Sequence, residues 1–157
     1  MKTIGIIGGL GPETTAKFYL DIIFKVFQKN KEQRPAIIIW NVPLKYKVEH
    51  DFIENGKGAG KYLPYLISAA KNLEKGGADL IVIPCNSVHL FINEVRKVVK
   101  IPVLSIIEET EKVLKAKKFR NVGLLATTST LSQKLYNPVF ERLGIKVTTP
   151  DTTNQKR

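Results

Sequence analysis

The chain has 157 residues, 43% apolar and 25% charged, the balance of an ordinary globular protein long enough to bury a core. Its 25 Lys and Arg against 14 Asp and Glu give +11, but the cations are spread along the chain without an arginine-rich arm, zinc-ligand spacing or aromatic RNA-binding motif, which argues against nucleic acid. No apolar run approaches the ~18 residues of a membrane span, which argues against a membrane partner.

The elements follow in chain order. Thr3–Gly8 is a short apolar run that predicts a strand buried on both faces. Pro12 then opens a helix whose apolar positions are Ala16, Leu20, Ile23, Phe24 and Phe27. Ala36–Trp40 predicts the second strand. Asn41–Lys61 is long and polar, carries Gly56, Gly58 and Gly60, and is expected to be a lid or binding loop. A helical stripe (Leu63, Leu66, Ile67, Ala70, Leu73) ends at Gly76-Gly77, and the strand Asp79–Pro84 follows. Val88, Ile92, Val95 and Val99 give the next helix, Ile101–Leu104 a strand, and Ile107, Thr110, Val113 and Leu114 another helix. The lysines that cluster at its end (Lys112, Lys115, Lys117 and Lys118, with Arg120) complement the helix dipole and face water. Asn121–Ala126 predicts a strand. Leu131, Leu135 and Phe140 predict a helix that Pro138 should kink or split, and Ile145–Thr149 a last strand after Gly144. Strands alternating with helices imply an α/β fold on a doubly wound parallel sheet. The polar tail from Pro150 adds no helix, so a sheet edge and an uncovered face are expected, to be covered by another chain or by more of this one.

A single cysteine forms no internal disulfide, and Met1–Gly9 reads as a strand entering a turn rather than a signal peptide, so the cytoplasm is the expected compartment. Ligands of parallel α/β sheets bind beyond the carboxyl ends of the strands, and four segments bear on such a site. Gly8-Gly9-Leu10-Gly11-Pro12-Glu13-Thr14-Thr15 is either a loop for a small anion, with Gly9 and Leu10 at the ligand, or a structural turn. Thr14 stands where a dinucleotide fingerprint needs its third glycine, and the second strand ends in Trp40-Asn41 rather than an acidic residue, so NAD is not expected. Gly56–Lys61 is one residue short of a phosphate loop and Tyr62 replaces its Ser/Thr, so ATP is not expected either.

Pro84-Cys85-Asn86-Ser87-Val88-His89 carries the most chemistry. Asn86 or Ser87 can cap the following helix, and a thiol beside a helix N-terminus gains a stabilised thiolate, its pKa falling from ~8.5 into the range ~3.5–7.5. A lone cysteine is otherwise a small buried hydrophobe, and the polar neighbours favour function here. His89 is equally a catalytic or a structural histidine. In Ala126-Thr127-Thr128-Ser129-Thr130 the hydroxyls either cap a helix or bind a carboxylate or ammonium.

These segments resemble the aspartate/glutamate racemase superfamily, and within it the cofactor-independent aspartate and broad-spectrum amino-acid racemases. The resemblance rests on the Gly8–Thr15 loop, Gly77–His89, Ile101–Ile106, Val122–Thr127, Tyr136 and Gly144-Ile145, in the family's order across nearly the whole chain. It implies two similar α/β domains with a site in the cleft between them, here residues 1–104 and an incomplete second domain over 105–157. It implies a small amino-acid or dicarboxylate substrate, no pyridoxal phosphate and no metal, and association into a homodimer as a possibility. Cys85 matches the first of two cysteines that flank the substrate's α-carbon, while Asn86, Ser87 and Thr127, with Gly9, Leu10 and Thr128, match the substrate-binding part. The residues from 41 to 50 match the part that reads the substrate side chain, with Lys45 or Lys47 as its basic residue. The family's second cysteine lies in a later Gly-Cys-Thr segment that these residues do not include, so racemisation by this chain alone is expected to be impaired. The competing expectations are a one-thiol decarboxylase or isomerase relative and a non-catalytic fragment or anion-binding module.

Overall fold

The computed structural model describes residues 2–53, 57–151 and 153–156. The chain is α/β and its strands are parallel. β1 (Ile4–Gly8) is central, flanked by β2 (Ile37–Asn41) and β3 (Leu80–Val82), with Ile6 beside both Ile39 and Val82. The expected strand at Ile101–Leu104 contributes one parallel bridge, Val103 to Ile81. A separate two-stranded sheet joins β4 (Asn121–Gly123) to β5 (Lys146–Thr148). The strands fall into two sheets, each with its own apolar cluster.

Helix α3 (Leu63–Lys75) buries Leu66, Ala69, Ala70 and Leu73 against one face of the larger sheet. Its approach requires Gly5, where a Cβ would lie 2.9 Å from the Cβ of Ala78 and 3.3 Å from that of Leu73. The other face is covered less completely. Only Thr15 of helix α1 (Pro12–Lys29) is buried, and Leu20, Phe24 and Phe27 of its apolar stripe are exposed, as is Tyr19. β2 is an edge strand with Ile39 and Trp40 exposed, and β4 and β5 have exposed ends, so burial on both faces holds for β1 alone. Between α1 and helix α5 (Ile106–Lys117) lies a cavity of about 640 Å³, walled by Phe18, Val82, Leu104, Ile106 and Val113.

Two other expectations change. The stretch from 41 to 61 is not a plain loop: it contains helix α2 (Tyr46–Ile53) and a 3₁₀ turn, Ala59–Lys61, while Gly56 lies outside the described residues. The stripe beginning at Val88 is broken into a 3₁₀ turn, Ser87–Phe91, and the short helix α4 (Ile92–Arg96). Pro138 splits its helix as expected. Helix α6 (Thr128–Ser132) stops, and helix α7 (Asn137–Leu143) restarts with the proline in its first turn, where a missing N–H costs nothing.

Candidate active site

Cys85 sits at the carboxyl end of β3, where its N–H donates to Ile83 O at 2.8 Å and turns the chain into the 3₁₀ turn. The thiol is half-buried and packs against the first apolar cluster, which includes Phe52, Tyr62 and Val88. Burial pushes its pKa up. The N–H groups of Val88 and Ser87 pull it down by less, and the charge of Glu49 pushes it up further. The expected stabilised thiolate is therefore corrected: two amides of a short turn do not offset desolvation of the sulfur.

Neither Asn86 nor Ser87 caps the turn with its side chain. The Asn86 carboxamide oxygen instead accepts from the Tyr136 hydroxyl at 2.5 Å. The buried Ser87 hydroxyl lies 2.9 Å from Thr127 Oγ1 and 3.2 Å from Thr130 Oγ1, across 40 and 43 residues of sequence. Thr127 caps α6 by accepting from the Thr130 N–H at 3.2 Å. Thr127 thus caps α6 and bonds the turn after Cys85 with the same oxygen. Thr128 is exposed and stands outside this network.

His89 is structural. Its Nδ1 lies 2.8 Å from Cys85 O, and its Nε2 accepts the Ile106 N–H at 3.0 Å, which places the ring proton on Nδ1. Burial, first among the causes, holds its pKa below the ordinary value. The ring ties the Cys85 turn to the start of α5. Arg96 reinforces that junction, donating to Val103 O at 3.0 and 2.9 Å and pairing with Glu108 at 2.7 Å.

The glycine loop is committed mostly to itself. The Gly9 N–H donates to Thr15 Oγ1 at 3.0 Å, and the Thr15 hydroxyl donates to Gly11 O at 3.1 Å, so that amide is not free for an anion. Gly9 has φ +82°, and a Cβ there would lie 2.8 Å from Asn41 Oδ1 and 2.9 Å from Val42 N. Leu10 is buried in the core rather than presented to a ligand. Lys45 and Lys47 are both exposed, and the charge on α2 that reaches Cys85 is that of Glu49. Tyr62 and Glu49 were not singled out as site residues by sequence, whereas Thr130 belongs to the hydroxyl segment read there as a cap or a ligand group. Among the described residues, no three His, Cys, Asp or Glu side chains are grouped to hold a metal, and no helix is long and apolar enough to cross a membrane.

The sequence profile described as Asp/Glu/Hydantoin racemase matches residues 7–157. The chain belongs to that family. Within it, the chain is 29% identical over 161 residues to the broad specificity amino-acid racemase RacX of Bacillus subtilis, with 97% of this chain and 66% of that one covered. Its structure is similar to that of an aspartate racemase homologue from Pyrococcus horikoshii, at 33% identity and a TM-score of 0.81, covering 99% of this chain and 67% of the other. A Picrophilus torridus aspartate racemase gives 27% and 0.82, with 99% and 65% covered. This racemase-family chain thus spans about two thirds of the length of these relatives. Arylmalonate decarboxylase shares the fold alone, at 16% identity and a TM-score of 0.56.

Proposed function

We propose that this chain carries the first half of an amino-acid racemase site, in which Cys85 exchanges the α-proton of a bound amino acid directly, without pyridoxal phosphate. The observation that supports this most is the set of side-chain bonds joining the Cys85 turn to the second sheet's helices, Ser87 to Thr127 and Thr130, and Asn86 to Tyr136. They gather hydroxyl and amide groups beside the one thiol, at the carboxyl end of a parallel strand where such sheets bind ligands. The same reading divides the chain into residues 1–104, with Cys85, and 105–157, with Thr127, and holds the substrate between them. Asn86, Ser87 and Thr127 bind its polar groups; Gly9, Leu10 and Thr128 shape the surroundings. The single cysteine supports a cytoplasmic setting, and the exposed apolar residues of α1 support pairing with a second copy.

In the proposed step the Cys85 thiolate takes the proton from Cα and the C–H pair passes into the substrate carboxylate as an enolate. Reversal from the solvent-exchanged thiol returns a deuteron to the same face. Inversion needs a second group on the opposite face, and the described residues offer no second thiol. α-Proton exchange in D₂O, followed by NMR on both enantiomers of alanine, aspartate, glutamate and lysine, tests the reading. One enantiomer is expected to exchange, and Cys85→Ser is expected to slow that exchange by roughly 10²–10⁴-fold, the worth of a positioned acid/base group. Full exchange in Cys85→Ser, or none in the wild type, refutes it. A decarboxylation using the same thiol once, as proton donor to a carbanion, is the second reading, favoured by the single cysteine. Release of CO₂ from an aryl-substituted malonate without amino-acid exchange would select it.

A further inference from the structure

Tyr62 is 2% exposed, and its ring packs against that of Phe52 with centroids 4.7 Å apart, so the position of its hydroxyl is fixed. That hydroxyl finds no hydrogen-bond partner among the described residues. Folded chains seldom retain an unpaired buried hydroxyl unless a ligand, an ion or a water completes it. Cys85 packs against the same buried cluster as Tyr62, and Glu49 and Cys85 both act electrostatically on the phenol. The sulfur does not accept from it, and the donor is left open.

We propose that the Tyr62 hydroxyl is a ligand-binding group of the Cys85 site, donating its hydrogen bond to a carboxylate oxygen of the zwitterionic amino acid held there. This rests on the reading of Cys85 as an amino-acid site. Burial first, then the negative charge of Glu49, holds the phenol well above the ordinary tyrosine range, so at neutral pH it is always a donor. Beside Glu49 a bare anion is repelled, whereas a zwitterion presents its ammonium to Glu49 and its carboxylate to Tyr62. Tyr62 is thus a recognition residue, reached from α3's N-terminus.

The test is protection of Cys85, the chain's one thiol, from iodoacetamide by L-alanine, L-lysine and L-aspartate, read by mass spectrometry on the full chain and on Tyr62→Phe. The wild type is expected to be protected by at least one of the three. In Tyr62→Phe the concentration needed for half-protection rises by roughly 10- to 100-fold, the factor for a lost hydrogen bond to a charged group, with each protein's protection read against its own alkylation rate without amino acid. The melting temperature of Tyr62→Phe rises or holds, because an unpaired buried hydroxyl has been removed. Equal protection in both proteins overturns the assignment of Tyr62 alone. A lower melting temperature with unchanged protection marks a hydroxyl completed by a structural water and overturns it too. Absence of protection in the wild type removes the amino-acid reading of the site, and this inference with it.

Discussion

Replacing His89 by alanine tests the claim that this residue is a tie rather than a catalyst. The imidazole is 3% exposed and bonds two backbone groups, Cys85 O at 2.8 Å and Ile106 N–H at 3.0 Å. Alanine leaves both without a partner, and an unsatisfied buried backbone group costs ~1–3 kcal/mol, so His89→Ala should lose about 2–4 kcal/mol after partial relaxation. The wild type also predicts a pH signature. Because burial lowers the folded-state pKa, the unfolded chain takes up the proton first as pH falls through its ordinary value of ~6.5. Stability contributed by this group is complete above that value and is lost on further acidification, at a limiting slope of about 1.4 kcal/mol per pH unit. Urea denaturation from pH 8 to pH 5 measures both effects, and NMR of the two histidines assigns the titration. His89→Ala should start lower and lose the acid dependence. An unchanged dependence in the variant, or a His89 resonance titrating at its ordinary pKa, refutes the buried clamp.

The Ser87–Thr127 bond joins distant segments, so a double-mutant cycle of Ser87→Ala and Thr127→Val should show a coupling of about 0.5–1.5 kcal/mol by urea denaturation; additivity would remove the bond from the site. Gly9→Ala places a Cβ in left-handed backbone and within 3 Å of Asn41 and Val42, so thermal unfolding should show a loss of at least ~1–2 kcal/mol. Iodoacetamide alkylation of Cys85 should keep accelerating with pH beyond the ordinary thiol range rather than levelling within it. Glu49→Gln should move that profile to lower pH, because one charge that opposes the thiolate is gone; an unmoved profile would place Glu49 outside the site.

The pattern of Ile and Val runs sufficed to find every strand of the two sheets, because continuous apolar runs between Gly and Pro signals leave few other states. It did not find the division into two sheets. Strand pairing depends on contacts such as Ile81 to Val103, which no local window contains. The break of the Val88–Val99 stripe was hidden for a related reason: its periodicity suits one α-helix, but the His89 bond to Cys85 O accompanies a 3₁₀ turn there. At the site, Cys85 was legible from its polar neighbours, and Thr127 from its place past a strand. Tyr62 was not, because a tyrosine at the start of an apolar helix looks like core, and core it is, apart from one oxygen. The direction of the thiol's shift was misjudged because sequence shows amides beside a sulfur but not the apolar cluster beneath it.

That shift bears on the proposed chemistry. A thiol whose pKa is raised by burial is protonated at neutral pH, and it must ionise before it can take a proton from carbon. In the proposed complex the zwitterion would supply the missing stabilisation, because its ammonium would enter a low-dielectric site where a charge acts far more strongly than in water. Glu49 then has two opposed effects. It opposes the thiolate, and in the proposed complex it would draw in the ammonium that favours it. Burial of Cys85 and the negative charge on α2 both slow its reaction with solvent electrophiles at neutral pH. On this account a weak nucleophile in the free chain and a competent base in the complex are the same sulfur in two electrostatic settings.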